Sequence, residues 1–345
     1  RANVRACATR RELPLVVDWN VVTQIRRLVS ENQVQVLHAH NRVAHLYCVL
    51  ASILAPGGIP VVVTLHGQGY YETGRTRFLQ RMLALRTAKV VCVSDDVTKI
   101  VAMRRSFKPS QIVTVKNGVD IGRFVVPSPA VKLEARRRCG IPDGAFVVGS
   151  VGRLSPEKNY SMLVRAFAHL VEGTDGKNVE RPASAASHVS RPTSHVPSAL
   201  LVLVGDGPDR DNIGKAAKEC GVSDSVLFAG MQEDVRPWLH CMDVFALSSV
   251  TEGTPITLLE AGATGLPSAV TAVGGNGEIV VDGESGFLVP SGDESSMAGA
   301  LERLMLDKAL RERQGEAARR RIAANYSVDS MVEAYRAIYS EVVGK

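Results

Sequence analysis

The sequence predicts an α/β protein of two Rossmann-like, doubly wound domains facing across a cleft. Three observations carry this. Short runs rich in Val, Ile and Leu alternate with helical patterns along most of the chain. Alternating βα units imply parallel sheets covered by helices on both faces. The alternation falls into two series, parted by a Pro-Ser-Pro and basic stretch at 127–142, and 345 residues suffice for two ordinary domains.

In the first series "VQVLHAH" is a strand that leads to a helix near 41–55. "PVVVTLHG" leads to a helix near 75–88 and "KVVCVSD" to one near 95–104, and "IVTVKNGVD" closes the series. The greasy tract "VAHLYCVLASILAPGGIPVVVTL" is broken by Pro-Gly-Gly-Ile-Pro, which makes it a helix followed by a strand and not a membrane span. The second series runs through "FVVGSVGRL", "ALLVLVGDG", "SVLFAG", "DVFALSS", "PSAVTAV" and "GFLVPSG", with helices between. Residues 173–198 lack apolar periodicity and are rich in Ser, Pro and Ala, so they are expected to be a disordered surface insertion, with His188 and His195 as solvated loop residues. "SVDSMVEAYRAIYSEVV" has helical spacing after a Ser-x-x-Ser start and predicts a terminal helix. The domains expected are 1–140, incomplete at its start, and 141–328, with 329–345 packing back toward the first.

Apolar residues make up 45% and charged residues 22% of the chain, a balance that excludes disordered and fibrous classes. A net charge of +6 suits anionic lipid or phosphorylated ligands; no DNA- or RNA-binding signature accompanies it, so nucleic acid is not an expected partner. The six cysteines are scattered, without a CxxC pair, which points to reduced thiols in a cytoplasmic protein and not to a zinc site.

Open α/β sheets bind ligands at the carboxyl ends of their strands. Three such loops in the second series have suitable composition. "GRLSPEKN" offers Arg153 and Lys158; "LVGDGPD" places Gly205 and Gly207 around Asp206, where close backbone approach is allowed. "EGTPITLLE" puts Gly253 in a turn and Pro255 at a first helical position, leaving the amides of Ile256, Thr257 and Leu258 as an anion site. Two cations and a helix N-terminus amount to a diphosphate cradle. Glu252 before the helix and Glu260 about two turns into it can each accept two hydroxyl bonds, as a vicinal diol requires. "DRD" at 209–211 has the spacing of a metal loop, but it follows Gly-Pro at a helix start and is expected to be first-turn charge.

"VGRLSPEKN", "LVGDGP", "EGTPITLLEAGATGLP" and "VGGNGEIVVDGESGFLV" resemble the group-1 retaining glycosyltransferases, a nucleotide-sugar-dependent family on the GT-B fold; "TLHG", "VSDDV" and "VKNGVDIGRF" resemble its acceptor-side motifs. The resemblance spans roughly 34–340 apart from the insertion. It implies transfer of a sugar from a UDP- or GDP-sugar to a saccharide or lipid-linked acceptor in cell-surface glycan or glycolipid synthesis, with no metal or other cofactor required. It further implies that Arg153, Lys158 and the amides of Ile256, Thr257 and Leu258 hold the donor diphosphate. Glu260 would hold the ribose, and Gly205 and Gly207 would let their loop approach the donor. Glu252 and His66 would act at the transferred sugar, while Asn117 and Gly118 would shape the cleft. The family's opening strand and Gly-rich loop have no counterpart before residue 57, so the first βα unit is expected to be missing. Two alternatives follow: a truncated, inactive sugar-nucleotide-binding partner protein, or a sugar-nucleotide 2-epimerase on the same fold.

One further stretch, "GRTRFLQRMLALRTAK" at 74–89, sets Arg75, Arg77, Arg81, Arg86 and Lys89 around Phe78, Leu79, Met82, Leu83 and Leu85. It reads either as an ordinary packed helix or as an interfacial helix that docks a peripheral protein on an anionic membrane surface, where a lipid-linked acceptor resides.

Overall fold

The computed structural model describes residues 17–55, 57–67, 74–172 and 199–344, apart from the side chains of Gly74, Arg75 and Glu172. The insertion expected at 173–198, with His188 and His195, lies outside the described residues, as does the start of the chain to residue 16. The chain forms two compact units. Of the described residues, those within 1–118, 252–254 and 326–345 make up one, and those within 119–251 and 255–325 the other.

The first unit holds α1 (Trp19–Glu31), β1 (Leu37–His40), α2 (Asn41–Leu54), β2 (Val61–Leu65), α3 (Gly74–Ala84), β3 (Thr87–Cys92), α4 (Asp95–Met103) and β4 (Ile112–Thr114). The strands form a parallel four-stranded sheet in the order β1-β2-β3-β4. Alternation along the strands divides their side chains between two cores. Ala39, Val63, Leu65, Val90 and Cys92 pack with Ala84, Val97 and Val101 of α3 and α4. Val62, Val91 and Val115 meet Ile338 and Val342 of the last helix, which covers the other face.

The second unit opens with a short helix at 129–138, α5 (Pro129–Arg138), and continues with β5 (Phe146–Val151), α6 (Tyr160–Glu172), β6 (Ala199–Val204), α7 (Arg210–Glu219), β7 (Val226–Gly230), α8 (Arg236–Cys241) and β8 (Val244–Leu247). It goes on through α9 (Ile256–Ala263), β9 (Ser268–Thr271), α10 (Asn276–Ile279), β10 (Gly286–Val289), α11 (Glu294–Leu306) and α12 (Lys308–Asn325), and the last helix of the chain is α13 (Val328–Val343). Its six-stranded sheet has the order β10-β9-β8-β5-β6-β7 with all pairs parallel. The strands are buried on both faces. Val148, Leu201, Leu203 and Val244 pack under Leu163, Phe167, Ile213 and Leu301, while Val147, Val202, Phe245 and Val270 face the other way and are equally inaccessible.

The second unit begins near residue 119 and not at 141, the boundary expected from composition. The basic segment that suggests a linker is a packed element. In α5, Lys132 Nζ donates to Asp243 Oδ1 (2.7 Å) and Arg136 Nη2 to Asp243 Oδ2 (2.7 Å), and the same Oδ2 accepts from the amide of Val147 at the start of β5 (2.8 Å). One half-buried carboxylate thus ties α5 to β5 and β8. Charge pairing with fixed partners, not solvation, explains these basic residues.

Candidate functional site

In the second sheet the strand order reverses between β5 and β8, since β5 continues to β6 on one side and pairs with β8 on the other. Successive crossovers leave in opposite directions at such a switch point, and the loops that part there open a crevice beyond the strands' carboxyl ends. The two loops at this point are the ones that carry the expected diphosphate ligands. After β5 come Arg153, exposed, and Lys158, half-buried. After β8 the chain reaches Pro255 and the start of α9.

Backbone bonds define the crevice wall. The amide of Leu154 donates to the carbonyl of Asp206 (3.0 Å), the amide of Gly152 to Val204 (2.9 Å) and that of Asp209 to Leu154 (3.0 Å). Ser248 Oγ, at the end of β8, donates to the carbonyl of Lys158 (2.8 Å), and the amide of Val250 donates to that of Glu157 (2.9 Å). The loops after β5, β6 and β8 are therefore one hydrogen-bonded assembly. Gly205 and Gly207 are glycines for this reason. A Cβ at Gly205, where φ is +137°, would lie 2.0 Å from the carbonyl oxygen of Gly152, and one at Gly207 would lie 2.2 Å from that of Leu154. The close approach these glycines permit is to the 152–154 backbone.

The N-terminus of α9 differs from expectation in one respect. The amide of Leu258 donates to the carbonyl of Pro255 (3.1 Å), which is the N-cap residue and not the first helical one. The tight first turn satisfies that amide internally, so the anion site reduces to Ile256 and Thr257. Glu260, one turn further, is half-buried; burial pushes its carboxyl up to about 7, opposed by the charge of Arg123. Arg319 of α12 secures this corner, donating to the carbonyls of Ile121 (2.9 Å), Phe124 and Ala263. Asp209, Arg210 and Asp211 lie at the start of α7, with Asp209 at its N-cap and bonded to Asn212 Nδ2 (2.8 Å).

His66 and Glu252 both lie in the first unit. His66 follows β2 and is exposed; Gly253 lies against it, since a Cβ there would fall 2.2 Å from the His66 carbonyl oxygen. Gly253 has no positive φ, so proximity and not turn geometry requires glycine. Thr254 Oγ1 donates to the carbonyl of Val93 (2.6 Å), and Asn117 Nδ2 donates to the carbonyl of Thr254 (3.2 Å). The side chain of Asn117 thereby holds the segment that carries Glu252, a role invisible in its local sequence. Sequence reasoning also missed His40, whose Nδ1 lies 2.7 Å from His66 Nε2. Its signal was the i, i+2 spacing of "HAH" at a strand end.

On α3 the basic apolar stripe divides in two. Leu79 and Leu83 turn inward to Leu46, Val49 and Val61. Phe78, Met82 and Leu85 face outward and are 68%, 50% and 72% exposed, interleaved with exposed Arg77, Arg81 and Arg86. Lys89 does not belong to this surface. The helix ends at Ala84, and Lys89, in β3, pairs with Glu341 of α13 (3.0 Å). The side chain of Arg75 lies outside the described residues. Among the described residues no helix is long and apolar enough to cross a membrane.

The family model for glycosyl transferases group 1 matches residues 131–321, and that for glycosyltransferase family 4 matches 3–123. The chain belongs to the group 1 glycosyl transferases. Similar proteins include the UDP-Gal:alpha-D-GlcNAc-diphosphoundecaprenol alpha-1,3-galactosyltransferase of Escherichia coli, 26% identical over 343 residues, or 96% of this chain and 82% of the relative. The lipopolysaccharide core biosynthesis glycosyltransferase LpsE of Rhizobium meliloti (strain 1021) is 32% identical over 225 residues, 65% of this chain and 56% of its own. Among solved structures, Anabaena Alr3699/HepE in complex with UDP superposes with a TM-score of 0.77 at 21% identity, covering 93% of this chain and 82% of that one. A glycosyltransferase from Rickettsia africae ESF-5 gives 0.78 at 18%, covering 97% and 84%. The fold is GT-B, and the protein is a glycosyltransferase.

Proposed function

We propose that the protein transfers a glycosyl group from a nucleoside-diphosphate sugar to a saccharide or lipid-linked acceptor, with retention at the anomeric carbon. The observation that carries this reading is the convergence of Arg153, Lys158 and the N-terminus of α9 on the β5/β8 switch point. Cations and free amides at that place suit a diphosphate. The activity of the E. coli relative, with a UDP-sugar donor and a diphosphoundecaprenol-linked acceptor, and the UDP bound by the Anabaena protein support the choice of ligand.

The chemistry then follows from charge. The bond from the anomeric carbon to the diphosphate oxygen breaks while positive charge grows on the sugar ring and negative charge on the departing diphosphate. The loop assembly fixes the backbone that carries Arg153, Lys158 and the amides of Ile256 and Thr257, so these groups reach the leaving group from set positions. Glu260 accepts the ribose hydroxyls. Glu252 accepts hydroxyls of the transferred sugar, and His66 acts at the sugar and acceptor. The acceptor hydroxyl bonds to the anomeric carbon on the face the diphosphate vacates, and its proton passes to the diphosphate oxygen. This reading assigns no role to a metal ion, so transfer should persist in excess chelator.

The outer face of α3 supplies a docking surface for the acceptor's membrane. Three apolar side chains among three arginines match the acyl–headgroup boundary of an anionic bilayer, where each cation adds about 1 kcal/mol. A protein docked in this way is peripheral and lies on the cytoplasmic side, where nucleotide sugars are found.

Calorimetry with UDP and GDP tests the donor site. Replacing Arg153 or Lys158 with Ala should weaken binding by about 1.5–3 kcal/mol each, or roughly tenfold to a hundredfold. Unchanged affinity in both variants overturns the assignment.

A further inference from the structure

His66 is one of three imidazoles gathered at the carboxyl end of the first sheet, and the other two have no part in the reading above. The register of β1 on β2 sets His38 beside Val62 and His40 beside Thr64. Side chains two apart along a strand share a face, so His38, His40, Thr64 and His66 all stand on the face covered by α13.

His38 is fully committed. Its Nδ1 lies 2.6 Å from the Tyr339 hydroxyl and its Nε2 2.8 Å from Thr64 Oγ1, which is itself 3.0 Å from the Tyr335 hydroxyl. Burial, reinforced by His40 and His66, pushes the His38 imidazole down to about 4, so it is neutral, donating from one nitrogen and accepting at the other. A ring held at both nitrogens is a fixed wall. Against it lies the His40 ring, with centroids 4.5 Å apart and planes inclined by 33°. Beyond His40 comes His66, with centroids 5.0 Å apart and planes inclined by 21°. The 2.7 Å separation of His40 Nδ1 from His66 Nε2 is a hydrogen bond along their facing edges.

We propose that His40 is a positioning residue which occupies Nε2 of His66 and fixes its ring plane, so that His66 presents only Nδ1 to the sugar or the acceptor hydroxyl. This rests on the reading that His66 acts there. Proton accounting carries the argument. A neutral imidazole has one N–H, and one proton occupies the His40–His66 bond. If it resides on His40 Nδ1, His66 Nε2 accepts and His66 carries its own proton on Nδ1. If it resides on His66 Nε2, Nδ1 is a bare acceptor. In both cases Nε2 is taken, and Nδ1 is the ring nitrogen left to meet substrate. Although both residues are exposed, partial desolvation where the two rings face each other lowers both imidazoles from the ordinary value, and for His66 the neighbouring His40 lowers it further, so the pair is neutral near pH 7. The backbone of His66 is held as well, by its contact with Gly253.

The test is ¹⁵N NMR of histidine-labelled full-length protein, which needs no substrate, together with UDP release from UDP-glucose. In the wild type His66 Nε2 should show a through-hydrogen-bond coupling to His40 Nδ1. His40→Phe keeps a ring against His38 but removes the nitrogen, and should give His66 Nε2 the shift of a solvated nitrogen. His40→Asn places an amide where Nδ1 was and should restore a hydrogen-bonded shift at Nε2. Turnover should fall about tenfold to a hundredfold in the Phe variant and recover in the Asn variant, while UDP affinity stays unchanged in both. An Nε2 shift unchanged by His40→Phe, or no coupling between the two rings in the wild type, overturns the proposal. If His66→Ala leaves turnover intact, the role given to His66 is wrong, while the nitrogen shifts still decide what His40 does.

Discussion

The contact between Gly253 and His66 predicts a substitution that should damage catalysis and spare donor binding. In Gly253→Ala the new Cβ would stand 2.2 Å from the His66 carbonyl oxygen, 3.1 Å from its carbonyl carbon and 3.2 Å from Gly67 Cα. Tolerated C···O approaches begin at about 3.3 Å, so the two segments must part by roughly 1 Å. All three obstacles are backbone, and no flexible side chain can swing away. Such overpacking costs about 1–3 kcal/mol, which lowers the melting temperature by several degrees. The displacement falls on Glu252 or on His66, and a 1 Å misplacement of reacting groups costs on the order of a hundredfold in rate. Between Gly253 and the amides of Ile256 and Thr257, Thr254 is pinned to Val93 and Asn117, so nucleoside-diphosphate affinity by calorimetry should change by less than about twofold. Wild-type turnover of the donor sugar nucleotide in the Ala variant would refute the positioning argument, and an equal loss of nucleoside-diphosphate affinity would show that the segment serves the nucleotide instead.

Three other outcomes are expected. Glu260→Gln should weaken free UDP binding, whereas Glu252→Gln should leave it nearly intact and reduce transfer; equal effects on UDP affinity would mean that the two roles are confused. The folded-state carboxyl of Glu260, raised from 4.5 to about 7 by burial, takes up a proton before the unfolded chain does. It therefore costs stability above about pH 7, and that cost is relieved as pH falls toward about 4.5. Glu260→Gln should unfold at a higher temperature than the wild type near pH 8, by a margin that shrinks toward pH 5; a margin independent of pH is the contrary result. The protein should co-sediment with phosphatidylserine vesicles at low salt, release at high salt and ignore phosphatidylcholine, and Arg81→Glu with Arg86→Glu should abolish sedimentation without unfolding. Failure of the wild type to sediment at low salt would make the outer face of α3 an ordinary surface.

The sequence by itself determined the strands of both sheets and most of the helices between them, though not α1 or α5, and it located Arg153, Lys158 and the start of α9 at strand ends. Those features rest on local periodicity and on turn chemistry, which a short window contains. "ALLVLV" is a buried strand wherever it pairs, and Pro255 ahead of "ITLLEAGA" begins a helix whatever lies beside it. Only the tertiary structure decided the rest, because each remaining feature joins residues far apart in the chain. That β5 and β8 are neighbours makes a crevice of two loops almost a hundred residues apart. The basic stretch near 132–136, which parts the two series in the sequence, is a packed helix for which Asp243 supplies the counter-charge. Lys89 left the α3 surface for Glu341, over 250 positions away. Gly205, Gly207 and Gly253 have local explanations in a turn, yet each is glycine because another backbone lies against it. His40 meets His66 across a strand register, and that register is chosen by the packing of both faces of the sheet, which no single strand carries.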